Sequence, residues 1–385
     1  MGHEISAARV HTRCRSRYNP DSMSFSTVRD QDIPLRLLRN ILRRGRIPNG
    51  LLFWGLGGVG KMLAALEMAK AVNCPDAEGD ACDACLSCRK VMHGNHPDVK
   101  IVAPAGKTRI INVETVEEIN ELCAYRPFEG GWRVIVVQDA ERMNVSAQNH
   151  LLKTLEEPPS NTLFILVSEF PRILLPTIRS RCQQVRFGAL KPETVLDLLL
   201  QHHPELPRER AAAIASVAQG QMSRALDLIA SEKRTVVLDL AARMAAGEDP
   251  LQLSEEFARH VKSAGEAIKA EVKSESDAAK LREMTQEERE AAKEEQDALI
   301  QMLTRRDLME YLYLLQAWYR DELVLGATRE SGRVWNQDAA ARLQGQTPLE
   351  KQGRRLEAID RARDYIERNL KLERVFRDLF FVLAA

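Results

Sequence analysis

The residues best placed to do chemistry are a run of glycines closed by a lysine. In LLFWGLGGVGKM, Gly55, Gly57, Gly58 and Gly60 follow an apolar run and Lys61 opens a helical pattern, matching the phosphate-binding P-loop through its lysine. Glycines let backbone N–H groups turn toward phosphate oxygens, the helix start adds its positive end, and a lysine here reaches the β- and γ-phosphates. Met62 then stands where a Ser or Thr hydroxyl would help hold Mg²⁺. A thioether is a poor ligand for a hard cation. Two readings stay open: a loop that holds the phosphates of ATP or ADP without the magnesium that hydrolysis needs, and a loop that holds nothing. Mg²⁺ is not expected.

A second departure lies in RVIVVQDAERMN. A P-loop ATPase ends such a strand with an Asp on the metal and, in many cases, an adjacent Glu that activates water. Here the pair is Gln138-Asp139 or, one residue on, Asp139-Ala140. Either register lacks one of the two carboxylates.

Cys74, Cys82, Cys85 and Cys88 form C-x7-C-x2-C-x2-C, a spacing that lets four thiolates wrap one tetrahedral Zn²⁺. Four sulfur ligands leave no open position, so the expectation is structural rather than catalytic zinc. A redox-active or accidental cluster is the alternative. His93 and His96 could replace a thiolate, but His96 precedes Pro97 and reads as a loop residue. Cys14, Cys123 and Cys182 read as ordinary thiols.

Positioning these groups is the work of alternating short apolar runs and helical patterns between Met23 and Gly188. That is the sequence form of a parallel sheet flanked by helices, an α/β core. Strands are expected at Leu51 to Trp54, Val99 to Val102, Arg133 to Val137 and Leu163 to Val167, with helices such as Met62 to Val72 and Val113 to Tyr125 between them. After Gly188 strand signals cease. Pro192 to Leu200, Arg208 to Ala218 and Ser223 to Ala230 read as three short helices of a small unit spanning 189–250. From about Leu251 a third helical section follows, with Leu308, Leu312, Leu315 and Leu323, then Leu356, Ile359, Ala362, Ile366 and Leu370 at helical spacing.

Composition fits this picture. Of 385 residues 44% are apolar, 29% charged and only 5% aromatic, a mix that leans toward helices rather than a β-sandwich. Lysine plus arginine balances aspartate plus glutamate at 55 each, so net charge does not advertise nucleic-acid binding. No run approaches the roughly 18 apolar residues that cross a bilayer, and the basic start lacks an apolar h-region. A cytosolic protein with no membrane role is expected. Residues 1–22 show no apolar periodicity and read as either a disordered tail or an upstream start. The Glu/Lys/Ala-rich stretch 264–298 reads as either a solvated helical arm or disorder.

With loop, cysteine cluster and strand in this order, the chain resembles the bacterial DNA polymerase III clamp loader, a ring-like AAA+ assembly. Arg142 to Phe187, RMNVSAQNHLLKTLEEPPSNTLFILVSEFPRILLPTIRSRCQQVRF, carries the resemblance most specifically. WYRDEL at Trp318 to Leu323 is similar to the carboxy-terminal collar of that family. The resemblance implies an α/β P-loop AAA+ core (23–188, with a zinc module at 74–88), a small helical lid (189–250) and an all-α collar (251–385) interrupted by the charged insertion 264–298.

Within that family, gamma and tau subunits keep an intact phosphate loop and Asp-Glu pair, whereas delta-prime members often do not. Met62, Gln138 and the stretch Arg126 to Val137 resemble the delta-prime members more. The Ser-Arg-Cys motif, here Ser180-Arg181-Cys182, supplies in that family an arginine finger to ATP on the neighbouring subunit. A guanidinium meets developing phosphoryl charge well, and such fingers are worth roughly 10³ to 10⁵ in rate. Ser168 falls near the family's sensor 1 position and Arg224 near sensor 2, with Asp139 at the metal strand. The implied role is a subunit without ATPase activity of its own in a heteropentamer with gamma/tau and delta subunits, loading a sliding clamp onto primer-template DNA. The alternative is an active gamma/tau-like ATPase with a divergent metal site. A free-standing zinc or DNA-binding module fits less well, because no base-reading motif appears.

Overall fold

A computed structural model describes residues 24–76, 79–104, 110–129, 131–274, 286–343 and 347–385. The expected tail 1–22, Cys14 and the middle of the charged insertion, 275–285, lie outside the described residues. The chain forms two compact units. One bears the sheet and ends at Gly188; the other is built on Ala189–Ala385 and takes in the loop tip Leu56–Val59.

The first unit opens with a 3₁₀ turn, Ser24–Thr27, and α1, Asp32–Arg44. Then come β1 Gly50–Gly55, α2 Lys61–Asn73, α3 Leu86–Met92, β2 Val99–Val102 and α4 Val113–Ala124. β3 Arg133–Val137, α5 Val145–Glu156, β4 Thr162–Ser168, α6 Pro176–Arg181 and β5 Gln183–Phe187 complete it. The strands form one sheet in the order β2-β3-β4-β1-β5, and every pairing is parallel. β3 and β4 are buried along their whole length, which is why they read as unbroken apolar runs: a central parallel strand is covered on both faces. On one face Leu52, Ile135, Val137, Phe164 and Leu166 pack with Ile119 of α4 and Leu151 of α5. α2 packs against β1, β3 and β4. Asn112 and Asn144 cap α4 and α5 by accepting hydrogen bonds from the N–H of Thr115 (3.1 Å) and Ala147 (2.7 Å), meeting donors that a helix start leaves unpaired.

All four expected strands are present. β5 was not expected, because Gln183, Gln184 and Arg186 are exposed; it is an edge strand, and only Val185 and Phe187 turn inward. Since the strands are parallel, Gly55, Val102, Val137, Ser168 and Phe187 end on one edge of the sheet. Loops at the carboxyl edge of such a sheet are where ligands bind in open α/β folds.

The second unit is helical throughout its described residues. Its helices are α7 Pro192–His202, α8 Arg208–Val217, α9 Met222–Ala230, α10 Lys233–Ala245, α11 Pro250–Ser274, α12 Gln286–Thr328, α13 Leu349–Glu367 and α14 Leu372–Ala384. Of the two readings of 264–298, the described parts are helical, as the ends of α11 and α12. Phe257, Tyr311, Phe376 and Phe380 form an aromatic cluster, and Trp318 and Tyr319 are buried. The two acids of WYRDEL are buried as well. Asp321 accepts the backbone N–H groups of Trp335 (2.9 Å) and Asn336 (2.8 Å), while Glu322 accepts from Trp318 Nε1 (3.1 Å), Gln352 Nε2 (2.9 Å) and Arg355 (3.2 Å). Buried carboxylates are tolerated because their oxygens are satisfied. An α/β core, a parallel sheet with flanking helices and a glycine-rich strand-to-helix loop, followed by helical structure is thus the observed fold class.

Candidate functional site

The phosphate loop leaves β1 at Gly55 and enters α2 at Lys61. Gly55 has φ +146°, and a Cβ there would lie 2.3 Å from the Phe187 carbonyl oxygen. Gly60, at φ +96°, caps α2 beside Val28, whose Cγ1 would be 3.3 Å from an added Cβ. Both positions need glycine for backbone reasons. Gly57 and Gly58 lie in the tip that groups with the helical unit, where a Cβ on Gly58 would meet the Ser223 nitrogen at 2.4 Å.

Lys61 is 6% exposed, and its Nζ donates to the Gly55 carbonyl at 2.8 Å. Burial pushes its ammonium below the ordinary lysine value, against the attraction of Glu169, Glu141 and Asp139. The lysine therefore lies folded along its own loop, facing three carboxylates. Asp139 adopts a left-handed backbone (φ +48°) just past β3. Ser168 ends β4 beside Trp54 of β1; it is 1% exposed, and its Oγ accepts the Phe170 N–H at 3.1 Å, capping the turn.

Glu141 and Glu169 escaped the sequence reading. Glu141 Oε1 accepts the Glu169 N–H at 3.0 Å, and its Oε2 is buried without a hydrogen-bond partner among the described residues. Their positions carried a signal: Glu141 is two residues beyond Asp139 and Glu169 one beyond Ser168, both in loops at the carboxyl edge of the sheet.

Arg181 ends α6. Its guanidinium meets Glu156 Oε1 of α5 at 2.5 Å and the Thr177 carbonyl at 3.3 Å, with 37% of the side chain exposed. Arg224 on α9, in the helical unit, pairs with Glu310 at 2.8 Å and stacks on the Tyr313 ring, 3.9 Å from its centroid.

At the opposite end of α2, Cys74 follows the last helical turn. Cys82 and Cys85 sit on the turn before α3, and Cys88 lies within it. The Cys85 N–H donates to Cys82 Sγ (3.3 Å) and the Cys88 N–H to Cys85 Sγ (3.4 Å). All four sulfurs lie within 4.8 Å of one another. Tetrahedral zinc with Zn–S bonds of about 2.3 Å puts its sulfurs about 3.8 Å apart, so the residues fit the ion with little movement. Burial opposes ionisation of Cys82, yet the N–H groups of Cys85 and Ala84 bring its thiol down to about 7. Burial pushes the thiols of Cys74 and Cys88 up. This is a site able to hold a metal such as zinc. His93 and His96 stand apart from it; His96 Nε2 lies 3.1 Å from Ser87 Oγ and its Nδ1 accepts the Asp98 N–H at 3.1 Å.

Residues 30–191 match the family model described as DNA polymerase III, delta subunit. The chain is 32% identical over 207 residues to DNA polymerase III subunit delta' of Bacillus subtilis (strain 168), an alignment that covers 53% of this chain and 62% of that protein. The chain is also 34% identical across 179 residues to DNA polymerase III subunit delta' of Pseudomonas aeruginosa, covering 46% of this chain and 54% of that protein. Subunit tau of Bacillus subtilis (strain 168) is 31% identical over 210 residues, covering 53% of this chain and 37% of that protein. The chain thus spans under two thirds of the length of these relatives. A DNA polymerase III gamma subunit-related protein from Thermotoga maritima superposes with a TM-score of 0.37 at 17% identity, covering 92% of this chain and 99% of that one. At that level of agreement the fold assignment rests on the strand order and not on the superposition. Among the described residues no helix is long and apolar enough to cross a membrane.

Proposed function

We propose that the chain is a clamp-loader subunit that does not hydrolyse ATP and that lends Arg181 to ATP on a neighbouring subunit. The observation that carries this reading is the contrast between its two cations. Lys61 is buried against the Gly55 carbonyl and faces three carboxylates, while Arg181 is part-exposed at a helix end. The Glu156 pair does not trap Arg181: a half-exposed ion pair is worth about 0–1 kcal/mol, so a bound phosphate can take the guanidinium over. Met62 offers no oxygen to magnesium, and Gln138 is a weaker ligand than a carboxylate.

In this role Ala189 to Pro250 forms the lid and Leu251 to Ala385 the collar. Gamma/tau and delta subunits are the partners in a cytoplasmic heteropentamer. Clamp and primer-template DNA are reached through the assembly, and zinc in the four-cysteine site is structural. Ser168 and Arg224 keep their sensor positions without a hydrolysing site to report on.

The test mixes the purified chain with gamma/tau and delta subunits and measures ATP turnover. Arg181→Ala should slow the assembly by roughly 10³-fold or more with complex formation intact, and the isolated chain should turn over no ATP. A second reading, an active ATPase, draws on Asp139 and Glu141, two carboxylates near Lys61. Hydrolysis by the isolated chain that disappears in Lys61→Ala would establish it and sink the first.

A further inference from the structure

We propose that Lys70 is a positioning residue for the metal site, holding the turn that carries Cys82 and Cys85 against the helix end that carries Cys74. This rests on the reading that the four cysteines bind zinc. Lys70 lies one turn before the end of α2 and is 1% exposed. Its Nζ meets Glu67 Oε2 at 2.6 Å on the same helix and Asp83 Oδ1 at 2.5 Å across the loop. Glu67 is also 1% exposed.

The Lys70–Glu67 pair alone would be neutral and confined to one helix. What it gains from Asp83 is a link to the metal loop. Asp83 sits in the two-residue gap between Cys82 and Cys85 and has a left-handed backbone, φ +55°, a conformation that Asp adopts more readily than most residues with a Cβ. The N–H···S bond from Cys85 to Cys82 spans that turn. Lys70 therefore ties α2, four residues before Cys74, to the segment that presents two other ligands. Such outer partners of metal ligands typically change affinity by 10- to 100-fold.

A buried ion pair is a poor device for stability, since an apolar replacement often packs as well. The proposal can thus be separated from a role in folding. Zinc affinity of the full chain would be measured by competition with a chromogenic chelator for four proteins: wild type, Glu67→Gln/Lys70→Met, Asp83→Asn and the triple variant. Melting of each in saturating zinc would run alongside. The expected result is a 10- to 100-fold weaker affinity in the first two variants, no further loss in the triple variant, and near-wild-type melting in saturating zinc.

Affinities within about threefold of a zinc-binding wild type would overturn the positioning role alone, as would additive losses. Variants that stay unfolded in saturating zinc would mark the triad as a folding element and overturn it too. A wild type that takes up no zinc would remove the metal reading and this proposal together.

Discussion

α2 has a candidate site at each end, and the two are built on different principles. At its start, Lys61 and the glycines need partners that arrive from elsewhere: Asp139 and Glu141 after β3, Ser168 and Glu169 after β4, Phe187 from β5. At its end, Cys74 meets three cysteines from one turn and one short helix, with ligand geometry set by N–H···S bonds between near neighbours. The metal site is a local object packed at the end of α2, whereas the phosphate loop is a product of the sheet. The difference teaches that degeneration acts unevenly. On the proposed reading, losing one carboxylate or hydroxyl would silence a site assembled from many loops while leaving a compact four-thiolate site intact.

The comparison can be broken first at the cysteine end. Cys88→Ser removes a fully buried ligand and should cost at least about 3 kcal/mol, lowering the melting temperature by about 6–12 °C. A strong chelator should reproduce the drop in wild type and add nothing in the variant, which calorimetry with and without chelator checks. Next in size is Gly55→Ala. Its Cβ would meet the Phe187 carbonyl while the backbone holds φ +146°, for a cost of about 2–3 kcal/mol, read from denaturant unfolding with zinc saturated.

A smaller effect is expected from Lys61→Met, about 1 kcal/mol for the lost hydrogen bond to Gly55. Millimolar ATP should not raise the melting temperature of either form; a wild-type rise that the variant lacks would mean the loop still holds phosphate.

The smallest effect concerns thiols in metal-free protein. Cys82 is held at about 7, while burial pushes Cys123 to about 11 and Cys182 to about 12. At pH 8 iodoacetamide should label Cys82 ahead of Cys123 and Cys182, as mass spectrometry would resolve. The sign follows from linkage: a thiol whose value is depressed on folding contributes stability above its unfolded value, and that contribution is lost as pH falls through about 7. Cys82 labelling should fall with it, and zinc should protect all four cysteines.

Much of the fold was legible. β1, β3 and β4 announced themselves because strands buried on both faces must be apolar at every position. β5 did not, since an edge strand shows its side chains to water and reads as loop; its place beside β1 is known only from the pairing of Leu51 with Gln183 through Gly55 with Phe187. The site was legible in the same proportion. Gly55, Gly60 and Lys61 are near neighbours in sequence and could be read together, as could the four cysteines. Glu141 and Glu169 were missed because each is an ordinary surface-type residue until two strands end side by side.

The sequence by itself determined the chemistry available: a lysine without a magnesium-binding hydroxyl after it, four thiolates at zinc spacing, and Ser-Arg-Cys at the end of a helix. These are properties of residue type and short spacing, which no packing alters. Only the tertiary structure decided how each group is employed. Burial of Lys61 against Gly55, the exposure of Arg181 beside Glu156 and the tie from Lys70 to Asp83 join residues 6, 25 and 13 positions apart. Whether a cation is spent inside the fold or left available outside depends on which carbonyls and carboxylates the sheet and its helices bring within reach.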